Sequence, residues 1–134
     1  MAQTECTADT KICSKCGILK DICEFPIRSD LPGRRLGFCK SCRNEYRRTA
    51  YRIVRTQLIS LYGGKCVCCG ISQEQFLTID HIQGAGGKHR KSAGGALSMY
   101  LSILREGHNP EKYRVLCWNC NMALAHFSFC HTTE

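Results

Sequence analysis

The chain contains no run of about eighteen apolar residues, so no segment reads as a membrane span. Its opening residues, MAQTECTADTK, lack an apolar core and a cleavage-type ending, and no secretion signal is expected there. Acidic residues are short: 11 Asp and Glu stand against 19 Lys and Arg, a formal charge of +8. A deficit of that sign points to a polyanionic partner, most often nucleic acid. The deficit is uneven, with 12 basic and 6 acidic residues in 1–62 against 7 and 5 in 63–134. Glycine and proline are absent from Lys40 to Leu61, where the pattern is helical.

What the chain has in excess is cysteine, 12 residues in 134. Without a secretion signal, so many cysteines point to metal binding rather than disulfides, and to a reducing cytoplasm (that of the host, if the protein is viral). Eight of them form CxxC pairs: Cys13-Cys16, Cys39-Cys42, Cys66-Cys69 and Cys117-Cys120. A two-residue gap lets both sulfurs of a tight knuckle face one ion, and two knuckles complete a tetrahedral thiolate site. Pairing in order is simplest: Cys13, Cys16, Cys39 and Cys42 hold one structural zinc, and Cys66, Cys69, Cys117 and Cys120 hold another. An interleaved arrangement remains open. Eight thiolates on two Zn²⁺ ions would lower the working charge to about +4. Neither half can bury much apolar surface alone, so zinc is expected to supply much of the folding free energy, and a strong chelator to unfold both halves. Cys6, Cys23, Cys68 and Cys130 stand outside the pairs and read as free thiols. Cys68 could swap in as a ligand, and Cys130-His131 could bind a metal.

The pattern along the chain predicts a disordered tail over 1–10 and a turn-rich stretch over 11–42, followed by the helix. At 100° per residue, Tyr46, Ala50, Ile53, Val54 and Leu61 share one face of that helix. Arg48, Arg52 and Arg55 lie opposite, as either a solvated face or a stripe that tracks phosphates. A strand is expected over Phe76 to Ile82, and a mobile loop over 83–95, which holds five glycines. A short helix over 96–106 should bury Leu97, Tyr100, Leu101 and Leu104. A strand over Tyr113 to Leu116 and a helix over Asn119 to Phe127 follow.

Asp80 and His81 adjoin at the end of the first of these strands. Neighbours on a strand point to opposite sides, so the two cannot chelate one ion together, but one can hold a metal while the other faces a water. The second zinc site carries Asn121 close, and its neutral amide oxygen suits a hard cation such as Mg²⁺.

CVCCG, LTIDHI and YRVLCWNCNMALA, in that order, resemble the HNH endonucleases of the ββα-metal (His-Me finger) superfamily, in the zinc-stapled form common in phages. They are also similar to phage recombination endonucleases. The resemblance covers about residues 62–131, and residues 11–48 resemble a four-cysteine zinc module often attached to such nucleases. It implies a small, metal-stabilised α+β fold. A zinc ribbon-like module would span 11–44, a basic amphipathic linking helix 45–62, and an HNH nuclease domain with its structural zinc 63–134. It further implies that His81 is the general base, and that Asp80 and Asn121 hold one catalytic Mg²⁺ (or Mn²⁺ or Ni²⁺). The reaction would be hydrolysis of a DNA phosphodiester, leaving 5′-phosphate and 3′-hydroxyl ends.

There are departures from the family pattern. The chain reads ALAHF where many relatives carry a Lys or Gly, so His126 is either a phosphate contact or a surface residue. The middle Asn of the HNH name has no match, and Tyr113 lies about where it would be sought. Lys88, His89, Arg90 and Lys91 form a basic cluster between glycines. It reads either as a solvated loop or as a flap that closes on the DNA backbone, with His89 near the scissile phosphate. His108 reads as an exposed turn residue.

The leading expectation is therefore a DNA endonuclease that nicks or cuts double-stranded DNA as a monomer or dimer. A zinc-dependent nucleic-acid-binding regulator without catalysis would use the same knuckles and charge, but has no need of Asp80, His81 and Asn121 together. A thiol redox protein would explain neither the charge nor the Asp-His pair.

Overall fold

Alternating side chains make Leu77–His81 a strand that buries Leu77 and Ile79 on one side and Thr78 on the other. In the computed structural model, which describes residues 9–130, this strand (β3) pairs antiparallel with β4, Tyr113–Cys117. Leu77 lies opposite Cys117, Asp80 opposite Arg114 and His81 opposite Tyr113. Helix α4, Trp118–Phe127, follows β4 without a break and packs on both strands, giving a ββα unit. The Cys117 sulfur caps α4 by accepting from the Cys120 N–H at 3.4 Å, which places that sulfur at the positive end of the helix.

The chain divides into two units, 1–49 and 50–134, so the expected linking helix is shared between them. That helix, α1, runs Lys40–Leu61. Within the second unit its buried residues are Val54, Leu58 and Ile59, with Tyr62 just past its end buried as well and Tyr51 packed beside them. The face predicted from periodicity is thereby corrected: Tyr46, Ile53 and Leu61 are exposed, at 65%, 54% and 40%. Helical spacing allowed both stripes; packing against β3, β4 and the helix over 96–106 selected the one that continues to Tyr62.

Helix α3, Ala96–Glu106, occupies the predicted span, but its most buried residues are Met99, Tyr100 and Ile103. Leu97, Leu101 and Leu104 pack at the margin of the same core. The Tyr51 and Tyr100 rings stack with centroids 5.3 Å apart.

The expectation of a glycine-rich loop before α3 fails. Residues Gly86–Ser92 form a helix, α2, entered through Ala85 in the left-handed region at φ 68°. Glycines flank this helix and open it, while the segment that must stay helical is KHRKS, all tolerable helix residues.

The first unit is built on the hairpin of β1, Thr10–Ile12, and β2, Leu19–Asp21. Thr10 lies in this strand rather than in the expected tail, and the Asp9 carbonyl accepts from the Ile22 N–H at 2.9 Å; residues 1–8 of that tail lie outside the described residues. The hairpin turn is the first CxxC knuckle. The Gly17 N–H donates to the Cys13 carbonyl at 2.8 Å, and the Cys13 N–H to the Ile18 carbonyl at 3.0 Å. Gly17 sits at φ 70°, a conformation that costs other residues about 1–2 kcal/mol. The second knuckle repeats the pattern, with the Gly70 N–H on the Cys66 carbonyl and the Cys66 N–H on the Ile71 carbonyl. CSKCGI and CVCCGI thus fold alike. Among the described residues, no helix is long and apolar enough to cross a membrane.

Candidate metal centres and a candidate active site

Each unit gathers four cysteine sulfurs. Those of Cys13, Cys16, Cys39 and Cys42 lie within 4.8 Å of one another, as do those of Cys66, Cys69, Cys117 and Cys120. Tetrahedral zinc thiolates, with bonds of about 2.3 Å, stand roughly 3.8 Å apart. Cys13 and Cys42 are 3.9 Å apart, and Cys69 and Cys117 are 3.7 Å apart. Both groups can therefore hold a structural metal ion such as zinc, with the knuckles paired in sequence order.

The electrostatics agree with that fit. The backbone N–H of Cys16, helped by those of Cys39 and Lys15, brings the Cys13 thiol down to about 6 despite its burial. Burial works to raise Cys66, but the N–H groups of Cys69, Cys117 and Cys68 bring it down to about 6. Burial pushes Cys42 up to about 12 and Cys120 upward as well. One thiolate forms readily in each group, whereas four together need a cation to offset them.

The reading of Cys68 and Cys130 as free thiols is corrected: they are joined as a disulfide. Cys68 lies inside the second knuckle, and Cys130 follows the helix that the same knuckle cluster begins, so the fold brings them together across 62 residues. The Cys130 sulfur is also 3.5 Å from that of Cys120. Cys23 is disulfide-bonded too, against the same expectation. Cys6 and His131 lie outside the described residues.

Asp80, His81 and Asn121 line one cleft of about 360 Å³ in the second unit, together with Arg90, Trp118 and Tyr100. The hairpin register brings Asp80 and His81 there, and the first turns of α4 bring Asn121 and Trp118. The Arg114 guanidinium donates to one Asp80 oxygen at 2.8 Å and fixes the carboxylate. A carboxylate has two oxygens, and with the Asn121 amide the cleft offers the hard oxygen donors that suit Mg²⁺ or Mn²⁺.

His81 turns toward other partners. Its ring meets Tyr113 edge-on at 5.0 Å, and its Nε2 lies 2.9 Å from His89 Nδ1. Burial, then the neighbouring His89, push the His81 imidazole below its usual pKa, while Asp80 pulls the other way. Tyr113 pairs with His81 in the hairpin and donates its hydroxyl proton to Glu106 at 3.0 Å.

The basic residues divide. His89 is held between His81 and Ser102 rather than presented on a mobile flap, while Lys88, Arg90 and Lys91 are exposed beside it on α2. Arg48 and Arg52 are exposed. Arg55 leaves the predicted stripe: it pairs with Glu74 at 3.2 Å and donates to the carbonyls of Glu74 and Leu77 at 2.7 and 2.6 Å, tying α1 to the start of β3. His126 and His108 are exposed, the latter against the Tyr62 ring. Sequence reasoning missed Trp118, which is 57% exposed although it is the largest apolar side chain in the protein. Its position between two zinc-type cysteines, in CWNC, was the available signal.

Comparison with protein-family models, curated proteins and solved structures finds no match to this chain.

Proposed function

We propose that the protein is a metal-dependent DNA endonuclease of the HNH, ββα-metal kind, stapled by two structural zinc ions. The observation that carries this reading is the meeting of Asp80, His81 and Asn121 in one cleft on a ββα unit. A zinc-bound regulator would need the cysteine groups but not this convergence.

In this reading Asp80 and Asn121 hold a divalent cation, which when bound supplies charge stabilisation to the scissile phosphate. His81 accepts a proton from water, a role suited to an imidazole, whose pKa burial here holds below its usual value. The water's O–H bond breaks, its oxygen bonds to phosphorus, and the P–O3′ bond breaks with its electron pair on O3′, which solvent protonates. The products carry 5′-phosphate and 3′-hydroxyl ends. Arg114 holds Asp80 in place, and Arg90 meets the phosphate backbone at the mouth of the cleft. Trp118 offers an exposed ring on which a base can stack, a contact worth about 1–3 kcal/mol. Lys88, Lys91, Arg48 and Arg52 contact phosphates and set register rather than sequence.

The test is to incubate zinc-loaded protein with supercoiled plasmid, with Mg²⁺ or with EDTA, and to map the ends produced. Mg²⁺-dependent nicks with 5′-phosphates support the proposal. DNA binding without cutting, in Mg²⁺, Mn²⁺ and Ni²⁺ alike, would favour the regulator.

A further inference from the structure

His81 has two ring nitrogens, and only the one without a proton can act as a base. The hydrogen bonds around it decide which. Ser102 donates its hydroxyl proton to the Met99 carbonyl at 2.7 Å. With that proton on the Met99 carbonyl, the Ser102 oxygen accepts from His89 Nε2, 2.9 Å away. That places the His89 proton on Nε2 and leaves His89 Nδ1 with a lone pair. His81 Nε2, 2.9 Å from that lone pair, must then carry the His81 proton and donate it.

We infer that His89 and Ser102 are positioning residues that lock His81 in the Nε2–H tautomer, so that Nδ1 is the atom that takes the water proton. The inference rests on the nuclease reading for the base role, and the tautomer rests on the Ser102 hydroxyl donating to the Met99 carbonyl. Proton transfer to Nδ1 makes an imidazolium whose Nε2–H is already bonded to His89, so the charge forms without rearrangement.

The Nδ1 edge explains a glycine. A Cβ added at Gly86 would lie 2.9 Å from His81 Nδ1 and 3.5 Å from its Cε1 and Cγ. Gly86 opens α2, where backbone conformation does not demand glycine, so its missing side chain serves space rather than a turn. The open space lies at the atom that the proton inventory identifies as the base. This gives α2 a role that the glycine-rich sequence concealed: it carries His89 to one edge of His81 and keeps the other edge clear.

The experiment is long-range ¹H–¹⁵N correlation NMR on the zinc-loaded protein without nucleic acid, near pH 8. His81 should appear protonated at Nε2. Ser102→Ala should mix the two tautomers and lower plasmid nicking about ten- to a hundredfold, and Ser102→Thr, which keeps the hydroxyl, should restore both. Gly86→Ala should keep the Nε2–H signal yet lower nicking about a hundredfold, by displacing or covering Nδ1. A wild-type His81 protonated at Nδ1, or a Ser102→Ala spectrum unchanged from wild type, would overturn the tautomer lock. A Gly86→Ala protein as active as wild type would overturn Nδ1 as the base. An Nε2–H signal in a protein that never cuts would leave the lock supported and remove the base role together with the nuclease reading.

Discussion

Metal removal should affect the two units unequally, and the difference follows from what each one buries. In the first unit the buried apolar cluster is Cys13, Phe25, Cys39 and Cys42, three of them candidate metal ligands. Phe25 is its one buried residue that is not a cysteine, and burying it contributes about 1.5–3 kcal/mol. Ordering the backbone costs about 1–2 kcal/mol per residue, so Phe25 offsets only a few of the residues in 11–42. A structural zinc, at about 10–16 kcal/mol, is of the right size to supply the difference. The second unit buries Leu58, Leu77, Ile103, Val115 and Leu116 with almost no exposure, and seven further non-cysteine residues around them.

A strong chelator should therefore collapse the amide dispersion of residues 11–42 in a ¹H–¹⁵N correlation spectrum while β3 and β4 keep much of theirs. This sharpens the expectation from sequence that both halves unfold alike. Cys39→Ser should reproduce the loss in the first unit alone. Amides of Cys13, Phe25 and Cys39 that stay dispersed in metal-free protein would refute the reasoning.

Other perturbations separate structural from binding roles. Arg55→Ala should destabilise the second unit by about 1.5–3 kcal/mol in urea, having lost charge-assisted bonds to Glu74 and Leu77. Arg52→Ala should leave stability unchanged and reduce the salt slope of DNA binding by about 1. Leu116→Ala, at a fully buried position, should cost about 2–5 kcal/mol by the same denaturation. Glu106 is held below its usual pKa by hydrogen bonds from Lys112 and Tyr113. Its contribution to stability should be full above its unfolded value near 4.5 and fade as pH falls through the depressed one. Glu106→Gln should flatten that acid limb, measured as Tm against pH.

The cysteine groups were legible in the sequence because a knuckle is a local device: CxxC spacing alone brings two sulfurs together, and CSKCGI and CVCCGI carry their own turn. The span of α3 was legible because Gly95 and Gly107 punctuate it. What stayed hidden depends on contacts between distant residues. Two apolar stripes on α1 satisfy the same periodicity, and only the core below chooses between them. Arg55 looks like its neighbours Arg48 and Arg52 until β3 starts beneath it. The glycines of 83–95 read as a loop, yet His89 is pinned by His81 and Ser102. Cys68 and Cys130 are far apart in the chain, and no local spacing announces their pairing.

The central claim is that the cleft of Asp80, His81 and Asn121 hydrolyses phosphodiesters. Its most direct test is plasmid nicking in Mg²⁺ by wild-type protein and by His81→Ala, with folding checked by circular dichroism. Nicking by wild type that vanishes in a fully folded His81→Ala protein is the predicted result. Equal nicking by the two proteins, or none by wild type in any divalent cation, would contradict it.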